Sequence, residues 1–218
     1  MASLTIENYV NAVYQTCVRQ GNSPAGTGQI ATALGVSPGT VTSMLKTLNE
    51  SGLAEYTPYE GVRLTESGRN LALRVLRRHR LIELFLAQTL ELSWDEVHEE
   101  AENMEHAVSD HLIDRIEKFL GYPKTDPHGD PIPRADGTID ITNSRSLAEA
   151  SVGEPFRLVR VLDQSPEFLR YLSESGLPLG VEGEVTSNRR EAGVVTIEIG
   201  GAATTLARDV AEKLLIGM

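Results

Sequence analysis

The chain has 218 residues, 40% of them hydrophobic and 23% charged, enough for one large or two small domains with a buried core. No run approaches the ~18 apolar residues of a spanning helix, and Met1-Ala2-Ser3-Leu4-Thr5 lacks the basic-then-apolar pattern of a leader, so a cytoplasmic protein without a membrane partner is expected. The net charge of −11 is unevenly placed: 8 Lys/Arg face 5 Asp/Glu through Arg80, against 12 and 26 beyond it, so a basic first third suited to a polyanion precedes an acidic remainder suited to cations.

Ile6, Val10, Val13, Tyr14, Cys17 and Val18 recur at helical spacing, and Gly21-Asn22 ends that helix. A short helix from Gly28 to Leu34 stops at Gly35. After the turn Gly35-Val36-Ser37, a second helix opens with Ser37 as its cap and Pro38 in its first position, and runs to Gly52. Two helices so joined make a helix-turn-helix. Leu53 to Tyr56 and Gly61 to Leu64 flank Thr57-Pro58-Tyr59-Glu60 as a β-hairpin, the wing of a winged helix. Thr65 caps a long helix to about Leu90, Ser93-Trp94-Asp95-Glu96 is a capping box, and Ser109 caps a further helix ending before Gly121.

Residues 121–140 are rich in Pro and Gly and predict a loop. Beyond Ser151 come short β pieces, Phe156 to Leu162, Val181 to Thr186 and Val194 to Ile199, interrupted by a helix from Pro166 to Glu174. The expected fold is mainly α: a winged helix-turn-helix (1–72), a helical domain (73–140), a linker (141–150) and a small β-barrel-like domain (151–218).

The recognition helix offers Ser37, Pro38, Gly39, Thr40, Thr42 and Ser43 to base edges. These are small, with hydroxyls and methyls but no Arg, Asn or Gln for bidentate pairing, so shape and thymine-methyl contacts are expected to contribute. Lys46, Arg63 and Arg69, with Arg74, Arg77 and Arg78, are candidate phosphate contacts.

His98, Glu102, Glu105 and His106 fall within an arc of roughly 100° on one helix. His79 and Glu83 form an i,i+4 pair on the helix before. Imidazoles and carboxylates without thiolate suit Mn(II), Fe(II), Zn(II) or Co(II). His111 reads as a surface histidine and His128 as a structural one, while Cys17 on an apolar face reads as core. His98-Glu99-Glu100-Ala101-Glu102 lacks the second histidine of the zinc-protease motif, and no phosphate loop or nucleophile context is present, so an enzyme is not expected.

Several stretches together carry a family resemblance. They are Gly61-Val62-Arg63-Leu64-Thr65, Arg78-His79-Arg80-Leu81-Ile82-Glu83, the helix bearing His98, Glu102, Glu105 and His106, and Asp126-Pro127-His128-Gly129-Asp130-Pro131-Ile132-Pro133. Through them the whole chain resembles the diphtheria-toxin-repressor family of metal-dependent transcriptional repressors. The resemblance implies a winged helix, a dimerisation and metal domain, an SH3-like C-terminal domain and a homodimer on a double-stranded DNA operator. It implies an ancillary metal site at His79, Glu83 and His98, and a primary site at Glu102, Glu105 and His106 with Asn8 from the first helix. Glu167 falls where some members supply a further ligand. Glu102 stands where iron-type members carry Cys, which favours Mn(II) over Fe(II), with Zn(II) or Co(II) as substitutes in vitro. Asn8 matches neither the Met nor the Asp of the two branches. The competing readings are an Fe(II)-responsive repressor, a winged-helix regulator not controlled by metal, and, more distantly, a metal-dependent hydrolase.

Overall fold

The computed structural model describes residues 4–140 and 143–217. The chain divides into two compact units. One holds the residues up to His79 with Pro133–Thr138, and the other holds Arg80–Ile132 and the chain from Ile139 on. No helix among the described residues is long and apolar enough to cross a membrane.

In the first unit, α1 (Leu4–Arg19) buries Tyr9, Val10 and Val13, the i, i+1, i+4 face expected of an amphipathic helix. The Gln29 side chain accepts the Gly26 N–H at 2.8 Å and so opens α2 (Thr27–Leu34). α3 (Pro38–Glu50) starts as its cap predicts: Ser37 Oγ accepts from the Thr40 N–H at 3.2 Å. Its inner face, Val41, Leu45 and Leu48, is fully buried. β1 (Ala54–Thr57) and β2 (Gly61–Leu64) pair antiparallel from Ala54↔Leu64 to Thr57↔Gly61. Ala25 exchanges two backbone hydrogen bonds of 2.9 Å with Val62, which fastens the turn before α2 to the hairpin. α4 (Glu66–Thr89) begins with Thr65 Oγ1 accepting from the Gly68 N–H. Gly68 is needed there, because a Cβ would lie 1.9 Å from the Leu53 carbonyl oxygen.

α4 continues into the second unit, the division falling between His79 and Arg80. Its later turns pack with α5 (Val97–Glu105) and α6 (Asp110–Phe119) around Leu81, Ile82, Val97, Ala101 and Ile113, closed by Ile132 from the loop beyond. Next come β3 (Arg145–Ser146), β4 (Pro155–Val161), α7 (Pro166–Glu174), β5 (Glu182–Arg189), β6 (Val194–Ile199), β7 (Ala202–Ala207), α8 (Arg208–Glu212) and β8 (Leu214–Gly217). The strands form one antiparallel sheet in the order β3-β8-β4-β5-β6-β7. Leu158, Val161, Leu169, Leu172, Val185, Val195, Ile197 and Leu206 fill its core, and Trp94, from the loop before α5, packs against them.

The mainly helical chain with an antiparallel C-terminal sheet is the fold class that the sequence predicts. Its limits differ. The sheet begins at Arg145, and Leu147, Ala148 and Ala150 are buried in its core, so 145–150 belongs to the sheet and not to a linker. Residues 141 and 142 of that linker lie outside the described residues. The expected boundary at 72/73 falls inside the continuous helix α4, and Pro133–Thr138 returns to the first unit.

Candidate metal centres and nucleic-acid interface

Ser37, Pro38, Gly39, Thr40, Ser43 and Lys46 are exposed at the start of α3 and along its outer face, and Thr42 is half-buried. Several hydroxyls there are already engaged: Ser37 Oγ lies 2.8 Å from Thr40 Oγ1, and Thr42 Oγ1 donates to the Pro38 carbonyl at 2.9 Å. An open groove of about 530 Å³ separates α3 from the wing, lined by Thr42, Lys46, Tyr56 and Tyr59. Tyr59 stands fully exposed at the hairpin tip. Arg69 is exposed near the start of α4, whereas the Arg63 guanidinium turns back onto the Asn22 carbonyl. The surface is small-featured, and Lys46 and Glu60 both line the groove.

Among the described residues, two groups of imidazoles and carboxylates could hold a divalent ion, and they share one residue. His79, Glu83 and His98 each offer a ligand atom within 4.8 Å of one another. His79 and Glu83 meet because they stand one turn apart on α4. The Glu83 carboxylate is 1% exposed, with Oε1 3.2 Å from His98 Nδ1. His98 Nε2 lies 3.5 Å from Glu102 Oε1, at the solvent side.

The other face of Glu83 meets an inner group that sequence reasoning missed: Glu83, Asp126 and His128, all buried. Glu83 Oε2 lies 3.7 Å from His128 Nδ1. The His128 ring is held by its Nε2, 2.7 Å from the Trp94 carbonyl oxygen, and stacks on the indole at 6.3 Å. A carbonyl only accepts, so Nε2 carries the hydrogen, and in the neutral ring Nδ1 presents a lone pair. That buried Nδ1 makes no hydrogen bond and faces a carboxylate, an arrangement that calls for a cation, either a proton or a metal.

The electrostatics agree. Burial, with Asp130 and Glu83 alongside, pushes the Asp126 carboxyl up to about 7 against the opposing pull of Arg80 and His128. Burial opposes the charged form of His128, but the Glu83 and Asp126 carboxylates and the Trp94 carbonyl outweigh it and raise its pKa. The motif Asp126-Pro127-His128 was legible as a motif, but its partner Glu83 lies more than 40 residues away, and only the fold joins them.

The remaining predicted ligands are placed less uniformly. Glu105 is buried with Oε1 3.1 Å from His106 Nε2, where α5 ends, while the Glu102 side chain is 64% exposed. Asn8 lies on α1 in the first unit, beside Glu7, which is buried and pairs with Arg78 at 3.8 Å. The Glu167 side chain is 83% exposed and lies 3.9 Å from Arg170. Leu169 and Leu172 take the buried face of α7, and a residue two before Leu169 points the opposite way. Gln164, three residues earlier, faces inward instead and donates to Asp130 at 3.1 Å.

Comparison with known proteins gives three consecutive family matches: the N-terminal DNA-binding domain of iron-dependent repressors over residues 1–62, their metal-binding and dimerisation domain over 65–134, and the FeoA domain over 145–217. The chain is 34% identical to the iron-dependent repressor IdeR of Mycobacterium tuberculosis over 162 residues, covering 71% of this chain and 70% of that one. It is 28% identical to the diphtheria toxin repressor of Corynebacterium diphtheriae over 223 residues, 97% and 96% of the two chains. A solved structure of a manganese-dependent transcriptional repressor in complex with manganese matches at a TM-score of 0.85 and 36% identity, covering 97% and 98%.

Proposed function

The chain belongs to the iron-dependent repressor family of metal-dependent transcriptional repressors, and on that premise we propose that it is activated by Mn(II) and binds a two-half-site operator as a homodimer. The observation that carries the metal reading is the buried, hydrogen-bond-free Nδ1 of His128 facing Glu83, with Asp126 beside it. A divalent cation there would add positive charge to a buried set of two carboxylates and one imidazole, beside the Arg80 guanidinium 3.5 Å from Asp126.

The donors are nitrogen and carboxylate oxygen throughout, and the one cysteine, Cys17, sits on α1 with its Sγ directed to the Val62 carbonyl. Such a set suits Mn(II) better than a softer ion. The manganese-bound relative supports the same choice, and the iron-dependent relatives make Fe(II) the second reading. Glu83 holds the outer and inner groups together, since each of its oxygens faces a different histidine. Glu102, Glu105 and His106 are the proposed primary ligands, and Asn8 is carried with them from the family resemblance alone; metal control of DNA binding is the proposed switch.

For the dimer, α6 leaves Leu112 46% and Phe119 69% exposed one above the other, seven residues apart on one stripe, and Tyr122 beyond it is 65% exposed. We propose that a second copy of the chain covers that stripe.

The test is a DNA mobility assay on a metal-transporter promoter with Mn(II), Fe(II), Zn(II) and Co(II) titrated separately. Retardation at the lowest free Mn(II) is expected. Stronger activation by Fe(II) moves the assignment to iron, and binding indifferent to a chelator overturns metal control.

A further inference from the structure

The loop that carries Asp126 and His128 is fastened from two directions, and Asp130 is the point where the fastenings meet. From α4, Arg80 Nη2 lies 3.0 Å from Asp130 Oδ2, and the same guanidinium reaches Asp126 and the Pro131 carbonyl. From the sheet region, Arg160 pairs with Asp130 Oδ1, and Gln164 Nε2 donates to Asp130 Oδ2 at 3.1 Å. Inside the loop, Asp126 Oδ1 accepts the backbone N–H groups of both His128 (2.8 Å) and Asp130 (2.9 Å). A displacement of Asp130 is therefore passed to the Asp126 carboxylate and to the backbone of His128.

The seam beside this hub is built from main chain. The Val161 N–H donates to the His128 carbonyl at 3.0 Å, and Gly129 lies so close to β4 that a Cβ would come within 2.0 Å of the Val159 oxygen. Trp94 spans the same junction. Its carbonyl holds His128, and its indole N–H donates to Ser173 Oγ on α7 at 2.9 Å, with Arg170 and Asp95 paired alongside at 3.3 Å.

We propose that Arg160 and Gln164 are positioning residues for the inner metal group, so that the C-terminal sheet region clamps Asp126 and His128 against Glu83. This rests on the metal reading above and adds to it a division of labour: the helices supply Glu83, the loop supplies Asp126 and His128, and the sheet region sets the loop. Coupling of this kind is reciprocal, so an occupied inner group holds the sheet region more firmly than an empty one.

The experiment titrates the full-length protein with Mn(II) and follows the emission of Trp94, the single tryptophan, which stacks on His128 and so reports the inner group. Wild type is compared with Arg160→Ala/Gln164→Ala, with Gln164→Ala alone, with Arg160→Lys, and with Lys213→Ala. The last breaks the 2.8 Å Lys213–Asp163 pair in the same region without touching Asp130. The double variant is expected to bind Mn(II) about tenfold or more weakly at the reported site. Arg160→Lys should recover most of that loss, and Lys213→Ala should match wild type. Should the double variant fail to fold by circular dichroism, Gln164→Ala, which keeps the ion pair, decides by the same shift. Wild-type affinity in a folded Asp130-directed variant overturns the clamp alone. A wild-type protein that takes up no Mn(II) overturns the metal reading together with it.

Discussion

Glu83 Oε1 lies 3.2 Å from Nδ1 of His98, joining α4 to α5 through a carboxylate that is almost wholly buried. The second oxygen of the same carboxylate faces His128. One side chain thus serves two groups of donors, and a change confined to it should weaken both. Glu83→Gln keeps the volume and removes the charge. Mn(II) affinity is expected to fall at least about tenfold, with loss of bound metal visible as a lower stoichiometry in calorimetry. A variant that still binds the wild-type complement would place the metal elsewhere.

The burial that assembles the inner group also makes it pH-sensitive. Asp126 is pushed up to about 7, so below that value it carries a proton that a bound cation must displace. His128, with its pKa raised, adds a second competing proton in the same direction. Metal affinity should therefore rise with pH through neutrality, and binding should release protons to the buffer. Calorimetry in buffers of different ionisation enthalpy measures that release. An affinity that stays flat between about pH 6 and 8 would show that these groups do not ligate.

Where the chemistry is local, the sequence already displayed it. Ser37-Pro38 announces α3, because cap and fixed φ act within one turn, and His79 and Glu83 pair because a helix brings i and i+4 together. What stayed hidden depends on distant partners. His128 reads as an ordinary loop histidine until the fold sets it against Glu83 and Trp94. Glu167 is a candidate by its place in the chain alone, and the buried face of α7, taken by Leu169 and Leu172, leaves it exposed. β7 was missed because Ala202-Ala203-Thr204-Thr205 shows no apolar alternation, and its place comes from six-residue pairing with β6. β3 and the core residues Leu147 and Ala148 were read as linker because a two-residue strand leaves no periodic signal.

Gly129 offers a test of the seam between the loop and the sheet. Its φ of +85° and its approach to the Val159 oxygen both exclude a side chain. Gly129→Ala must move the loop or β4, and a loss of about 1–3 kcal/mol is expected by analogy with other overpacked sites. The melting temperature of the metal-free protein should drop, and Mn(II) affinity should fall with it. Unchanged values for both would mean that the loop does not sit against β4 in solution.

On the DNA side, Lys46 and Ser43 occupy the same exposed face of α3 yet should act differently. The ammonium of Lys46, at the rim of the groove beside the wing, is placed to meet a phosphate, which carries no sequence information. Lys46→Ala should weaken Mn(II)-dependent binding to operator and to unrelated duplex alike, and reduce the slope of log affinity against log salt by about 0.9. Ser43, small and exposed where a base edge would pass, should leave that slope unchanged. Ser43→Ala should instead alter preference among operator variants, by up to about 1–3 kcal/mol at the contacted base pair. Fluorescence anisotropy over a salt series separates the two behaviours. A Lys46→Ala variant with the wild-type slope would remove that side chain from the phosphate backbone.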